Sequence, residues 1–186
     1  MRTKKTGRKK TNEFGRLWRS RATGPRMLRF LVKLNIFAIP LYLILFFDLQ
    51  WAGLQTFIAQ TVHAMLNIAG IAAERAGNFI VIPMQGGQWA AFIDWDCTGW
   101  KSFLALFALV MATDFARKTK LKGLAVMIPA IFAVNLIRIT FMFYYVNSFG
   151  LAYFEFVHAM IWSWGLIITV LVLWLLWMKY MAGKDG

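Results

Sequence analysis

The sequence predicts an all-α membrane protein: a polytopic helical bundle of about four full spans, an amphipathic helix in the outer half of the bilayer, and a small extracytoplasmic β-hairpin. Three observations carry this prediction. Of the 186 residues 60% are apolar, uncharged runs long enough to cross a hydrocarbon core of about 30 Å recur along the chain, and the basic residues gather in a few short stretches. The formal net charge of +13 would point to nucleic acid in a soluble protein. Here most of the excess lies in the first 33 residues, so it is a local property of one tail.

Residues 1–26 form that tail, with ten Lys or Arg against a single acid, Glu13. The apolar run behind it is long enough to span and lacks a small-residue cleavage pattern, so the pair reads as an uncleaved signal anchor. The tail is expected to be disordered and drawn to anionic headgroups, at about 1 kcal/mol per basic residue near the surface. No specific nucleic-acid contact is expected, because stacking aromatics are not interleaved regularly among the basic residues.

Residues 27–181 are expected to form one transmembrane domain. The first span covers about 27–47, with Lys33 snorkelling near its start and Pro40 placed to kink it. Residues 51–73 are helical in pattern but interrupted by Gln55, Gln60, His63 and Asn67, which suits an outer-half helix better than a lipid-facing span. Two β-prone runs within 78–95 flank a Gln-Gly-Gly-Gln turn and predict a hairpin, with Pro83 confining the first run to an edge. Further spans are expected at about 98–114, 124–146 and 156–178, the last carrying Trp162, Trp164, Trp174 and Trp177 near its ends.

Charge sets the orientation. The tail, a loop holding Arg117, Lys118, Lys120 and Lys122, and the C-terminus with Lys179 and Lys184 are basic and read as cytoplasmic. Asp48, Glu74, Asp94, Asp96 and Glu155, set against Arg75, mark the extracytoplasmic segments. A crossing at 51–73 would make the number of spans between the two basic stretches odd, which is why that helix is kept in the outer half. The chain is thus expected to be a multi-pass protein of the cell membrane, with both termini cytoplasmic.

Three polar residues then fall in the outer half, one on each of three predicted helices. Cys97 is the only cysteine, so it is a small buried apolar residue, a partner in an intermolecular bond, or a reactive group. A helix N-terminus, and Lys101 on the same face, would favour its thiolate, whereas Asp94 and Asp96 oppose it. Arg138 lies about eight residues, or about 12 Å, below the outer end of its span. A central arginine costs roughly 2.5 to 3.5 kcal/mol on insertion scales and normally faces a cavity or a partner. Asn135, one turn earlier, can hold the guanidinium or a substrate carbonyl. His158 opens the last span on the same side, and His63 is its only competitor. Thiolate, imidazole and guanidinium together make a set for acyl transfer, as nucleophile, proton carrier and oxyanion stabiliser. No metal and no cofactor is called for.

Cys97-Thr98-Gly99-Trp100-Lys101-Ser102, then Asn135-Leu136-Ile137-Arg138-Ile139, then His158 resemble the ordered signatures of the exosortase and archaeosortase family of membrane proteins. The family pattern is a Cys-Ser/Thr-Gly element ending in serine, an Asn-two-residue-Arg-Ile element, and a polar residue opening a later helix. The resemblance runs from about Asn78 to the end of the last span and leaves the tail outside. It implies a sortase-like cysteine transpeptidase or peptidase with Cys97, Arg138 and His158 catalytic, and with Thr98, Gly99, Ser102 and Asn135 at the substrate. The implied substrates are exported proteins ending in a short motif, a transmembrane helix and a basic tail. The implied acceptor is a membrane lipid or another envelope component, and the active site would open at the extracytoplasmic face.

Two other readings stay open on the residues alone. A non-catalytic assembly or scaffold subunit would use Arg138 to pair with an acidic residue of a partner. A small anion transporter would place Arg138 on its path, although no inverted repeat supports that reading.

Overall fold

A computed structural model describes residues 23–84, 86–160 and 164–182. The basic tail up to residue 22, Gln85, residues 161–163 of the predicted last span with Trp162, and the last four residues with Lys184 lie outside the described residues. The remainder is mostly helical, with one small sheet.

Helix α1 (Thr23–Phe37) runs into α2 (Ile39–Phe46) across a break at Ala38, two residues before Pro40. Proline has no N–H to donate and its ring crowds the carbonyl four residues back, so the helix re-forms only with Pro40 in its first turn. The hydrogen bonds Ala38 N to Leu34 O (2.9 Å) and Tyr42 N to Ala38 O (3.1 Å) carry the axis through. Together Gly24–Phe46 is long and apolar enough to cross a membrane, and most of its surface lies exposed. Such exposure suits lipid contact.

Helix α3 (Ala52–Ile68) follows and ends where its polar residues take over the connection. His63 Nε2 lies 3.0 Å from the Ala73 carbonyl and 3.1 Å from Asn67 Nδ2, while Ala73 N donates to Asn67 Oδ1 at 3.2 Å. Two of the four polar interruptions, His63 and Asn67, are therefore fastenings of the helix's C-terminal loop.

The sheet has three strands in the order β1 (Glu74–Ala76), β2 (Phe79–Met84), β3 (Gly87–Phe92), both pairs antiparallel. The predicted hairpin is β2–β3. Strand β1 was not predicted: its three residues are all exposed and carry no apolar alternation. Its presence makes β2 central rather than an edge, yet Pro83 is still accommodated. Pairing with β1 stops at Glu74 opposite Val81, so two residues later nothing on that side needs the missing N–H. Asn147 Nδ2 donates to the Pro83 carbonyl at 2.8 Å and ties the sheet to the long helix.

A short 3₁₀ turn, Trp95–Thr98, leads through Gly99 into α4 (Trp100–Ala112). Helix α5 (Arg117–Phe149) is the longest element, at 33 residues, and is long and apolar enough to cross a membrane. Its first turn contains Arg117, Lys118 and Lys120, which the sequence reading placed in a loop. The connection between the two helices occupies only 113–116, and Lys120 reaches back across it to donate to the Met111 carbonyl at 2.8 Å. A cation at the open C-terminal carbonyls of α4 is favourable on hydrogen-bonding and dipole grounds alike. Helices α6 (Phe154–Met160) and α7 (Leu166–Ala182) complete the described chain. Helices α4 and α7 are apolar but shorter than a full span.

The core lies in two parts along α5. Leu124, Met127 and Ile131 pack with Leu106 and Val110 of α4 and Val170 and Trp177 of α7. Further along, Leu136, Ile139, Phe143 and Val146 pack with α3, the sheet and Cys97. The second part holds the site.

Candidate active site

Strand β3 and the 3₁₀ turn deliver Cys97. Asp94 caps the turn by accepting from Trp95 N at 2.6 Å, and Thr98, fully buried, donates its hydroxyl to the Trp95 carbonyl at 2.7 Å. Trp95 and Trp100 stack across the turn with centroids 5.5 Å apart. Gly99 then takes φ +74°, a left-handed conformation that lets the chain swing from the turn into α4. A Cβ there would stand 3.1 Å from Asn135 Cγ, a tight approach that adds to the conformational case for glycine.

Cys97 is 9% exposed, Arg138 7% and Asn135 0%. Cys97, Arg138 and His158 line one cavity of about 100 Å³. Its walls are mainly apolar, with Trp89 from the hairpin and Phe143 and Phe154 from the helices. Trp89 lies 5.4 Å from Phe143 and 5.3 Å from Phe154, and Phe154 stacks on the half-buried imidazole of His158 at 5.4 Å and 11°. These aromatic walls were missed by the sequence reading, because an aromatic in an apolar run looks like any core residue. Only the register that sets Trp89 opposite Ile82 turns it inward.

The other predicted residues are placed differently. Asn135 reaches neither a substrate position nor the guanidinium in the described contacts; its Nδ2 donates to the Cys97 carbonyl at 2.9 Å. Thr98 and Gly99 build the turn and do not line the cavity. Ser102 faces a separate groove of about 300 Å³, beside Leu41, Ala105 and Leu171. Five residues beyond Cys97, it has rotated away from that face. Lys101 is drawn off as well, pairing with Asp96 at 2.9 Å and lying over the Trp100 ring.

Cys97 stands ahead of α4 rather than within it. Burial pushes its thiol up to about 11, with the Asp94 and Asp96 charges adding to the rise, while a backbone hydrogen bond and the charge of Arg138 pull the other way. The resting group is the thiol. Among the described residues no cluster of three or more His, Cys, Asp or Glu could hold a metal ion.

A mainly apolar cavity lined by a thiol, an imidazole and a guanidinium has the parts for acyl transfer. Comparison with known proteins agrees in family. No curated protein and no solved structure matches the chain. The family model described as transmembrane exosortase matches residues 16–178, from within the basic tail to near the end of α7. The chain is a membrane protein and belongs to the transmembrane exosortase family.

Proposed function

We propose that the protein is an intramembrane cysteine transpeptidase that cleaves the C-terminal sorting signal of exported proteins and passes them to an amine-bearing acceptor in the envelope or the lipid. The observation that carries this reading is the meeting of Cys97, Arg138 and His158 at one cavity from three separate elements. The Cys97 thiol gives its proton to His158 as Sγ attacks the scissile carbonyl. Arg138 holds the oxyanion, the C–N bond breaks, and the imidazolium protonates the departing amine. A thioester remains. The acceptor amine then attacks it, losing a proton to His158, and Cys97 leaves with that proton restored. Because the resting group is a thiol, proton transfer accompanies attack rather than preceding it.

Thr98, Gly99 and Asn135 act here by holding the turn that presents Cys97, and Ser102 belongs to the neighbouring groove. The site opens to the extracytoplasmic face under the charge-based orientation, with both termini in the cytoplasm. An assembly role for Arg138 is less favoured, since its side chain is buried beside Cys97 within one chain.

The test is processing of a co-expressed exported reporter with a motif, transmembrane helix and basic tail. Cys97→Ala and Arg138→Lys should both abolish it while the protein accumulates in the membrane; lysine keeps the charge but loses the planar donor fork. Undiminished processing by Cys97→Ala would end the proposal. Processing by Cys97→Ala together with failed assembly of Arg138→Ala would favour the scaffold.

A further inference from the structure

Among the described residues strand β3 is hydrogen-bonded on one side only, to β2, and is the edge of the sheet. Its pairing phase follows from one bond beyond the strand: Ile93 N donates to the Asn78 carbonyl at 2.9 Å. In an antiparallel ladder hydrogen-bonded pairs alternate, so with this register Ala91 and Trp89 turn their N–H and C=O groups toward Ile80 and Ile82. Those of Gln88, Ala90 and Phe92 consequently point to the open edge. All three residues are exposed. Pro83, opposite Gln88, falls at a position that gives β3 no hydrogen bond, consistent with this phase.

The same strand forms a wall of the cysteine cavity through Trp89, Ala91 and Phe92, and the chain reaches Cys97 five residues after Phe92. An open edge that runs into a nucleophile's cavity offers main-chain partners to an extended peptide, and alternate side chains of that peptide would meet the aromatic wall. Bare edge groups near lipid are costly unless paired or wetted. Helical substrate would not serve, since its carbonyls are occupied by its own ladder.

We propose that the outer edge of β3 is the docking strand of this enzyme: the substrate segment that is cleaved adds to the sheet as a fourth strand, bonded to the main chain of Gln88, Ala90 and Phe92, and is thereby led to Cys97. This rests on Cys97 being the nucleophile. Recognition is partly independent of the peptide's sequence, because main-chain groups make it.

That independence supplies a probe. Acetyl-tetraalanyl chloromethyl ketone alkylates a thiol with loss of chloride and carries an extended main chain, whereas chloroacetone has the same warhead without one. In detergent-solubilised full-length protein, Cys97 should be alkylated by the peptide at least about tenfold faster than by chloroacetone, the scale of a lost hydrogen bond or two. N-methylation of the peptide should remove the advantage at alternate residues only. Ala90→Pro deletes one outward N–H and no bond to β2, and should lower the peptide rate severalfold without changing the chloroacetone rate. A peptide advantage undiminished by Ala90→Pro and by every N-methylation overturns edge docking while leaving Cys97 as nucleophile. Failure of both reagents to alkylate native Cys97 overturns the nucleophile and the docking mode together. The N-methyl series reads the wild-type protein, so it decides the matter even where Ala90→Pro misfolds.

Discussion

The side-chain amide of Asn135, fully buried on α5, donates to the main-chain carbonyl of Cys97 at 2.9 Å, while its carboxamide carbon packs against the bare Cα of Gly99. One residue thus fixes both the height of the nucleophile and the swing of the chain into α4. Its Oδ1 has no hydrogen-bond partner among the described residues.

Replacing Asn135 by leucine keeps the bulk and leaves the Cys97 carbonyl buried without a donor. A loss of about 1 to 3 kcal/mol in stability is expected, read as a lower unfolding midpoint in detergent. Processing should fall further than stability alone accounts for, because the turn bearing Sγ is released. Wild-type processing by a normally folded Asn135→Leu protein would contradict this.

Gly99→Ala places a Cβ 3.1 Å from Asn135 Cγ and forces an L-residue to φ +74°. The strain is on the order of 1 to 3 kcal/mol, and it acts on the turn rather than on the helices. Helical content by circular dichroism should be retained while alkylation of Cys97 and processing both decline.

Alkylation of Cys97 by iodoacetamide should rise about tenfold per pH unit well above neutrality and level off only near the thiol's raised value of about 11. Asp94→Asn and Asp96→Asn each remove a charge that opposes the thiolate, so the profile should move to lower pH. Arg138→Gln removes a charge that favours it, and the profile should move to higher pH. A profile centred near 8.5 in the native protein would show that burial does not govern this thiol.

Gly123 on α5 touches Trp177 of α7, where a Cβ would come within 2.5 Å of the indole nitrogen. Gly123→Ala should push the two helices apart and destabilise by about 1 to 3 kcal/mol, as overpacked cores do. The double variant Gly123→Ala/Trp177→Leu should recover part of that loss. Additive losses in the double variant, measured by thermal unfolding, would exclude the direct contact.

Arg138 and Cys97 stood out in the sequence because each is an exception: a charge in an apolar run is costly, and a lone thiol invites a reason. His158 was singled out by position, and the hairpin was legible from its β-prone runs and turn residues. What stayed hidden depended on partners distant in the chain. Strand β1 exists only by pairing with β2, and Lys101 is taken by Asp96 rather than directed at the thiol. Asn135 and Ser102 share a motif logic with Cys97, but helical rotation sends one to the carbonyl behind it and the other to a different groove. The start of α5 was misplaced because a run of basic residues looks the same in a loop and in a helix that projects into the headgroups.

Helix α4 has 13 residues, a rise of about 20 Å against a hydrocarbon thickness of about 30 Å. A helix this short crosses only where the bilayer thins around it or where a wet depression descends to meet its end. Cys97, one turn ahead of that end, would then sit below the level of the surrounding headgroups. Under the proposed transpeptidation, reach for the acceptor would be a matter of lipid thickness: short-chain membranes would bring the amine and the thioester level with each other, and long-chain membranes would strand them apart.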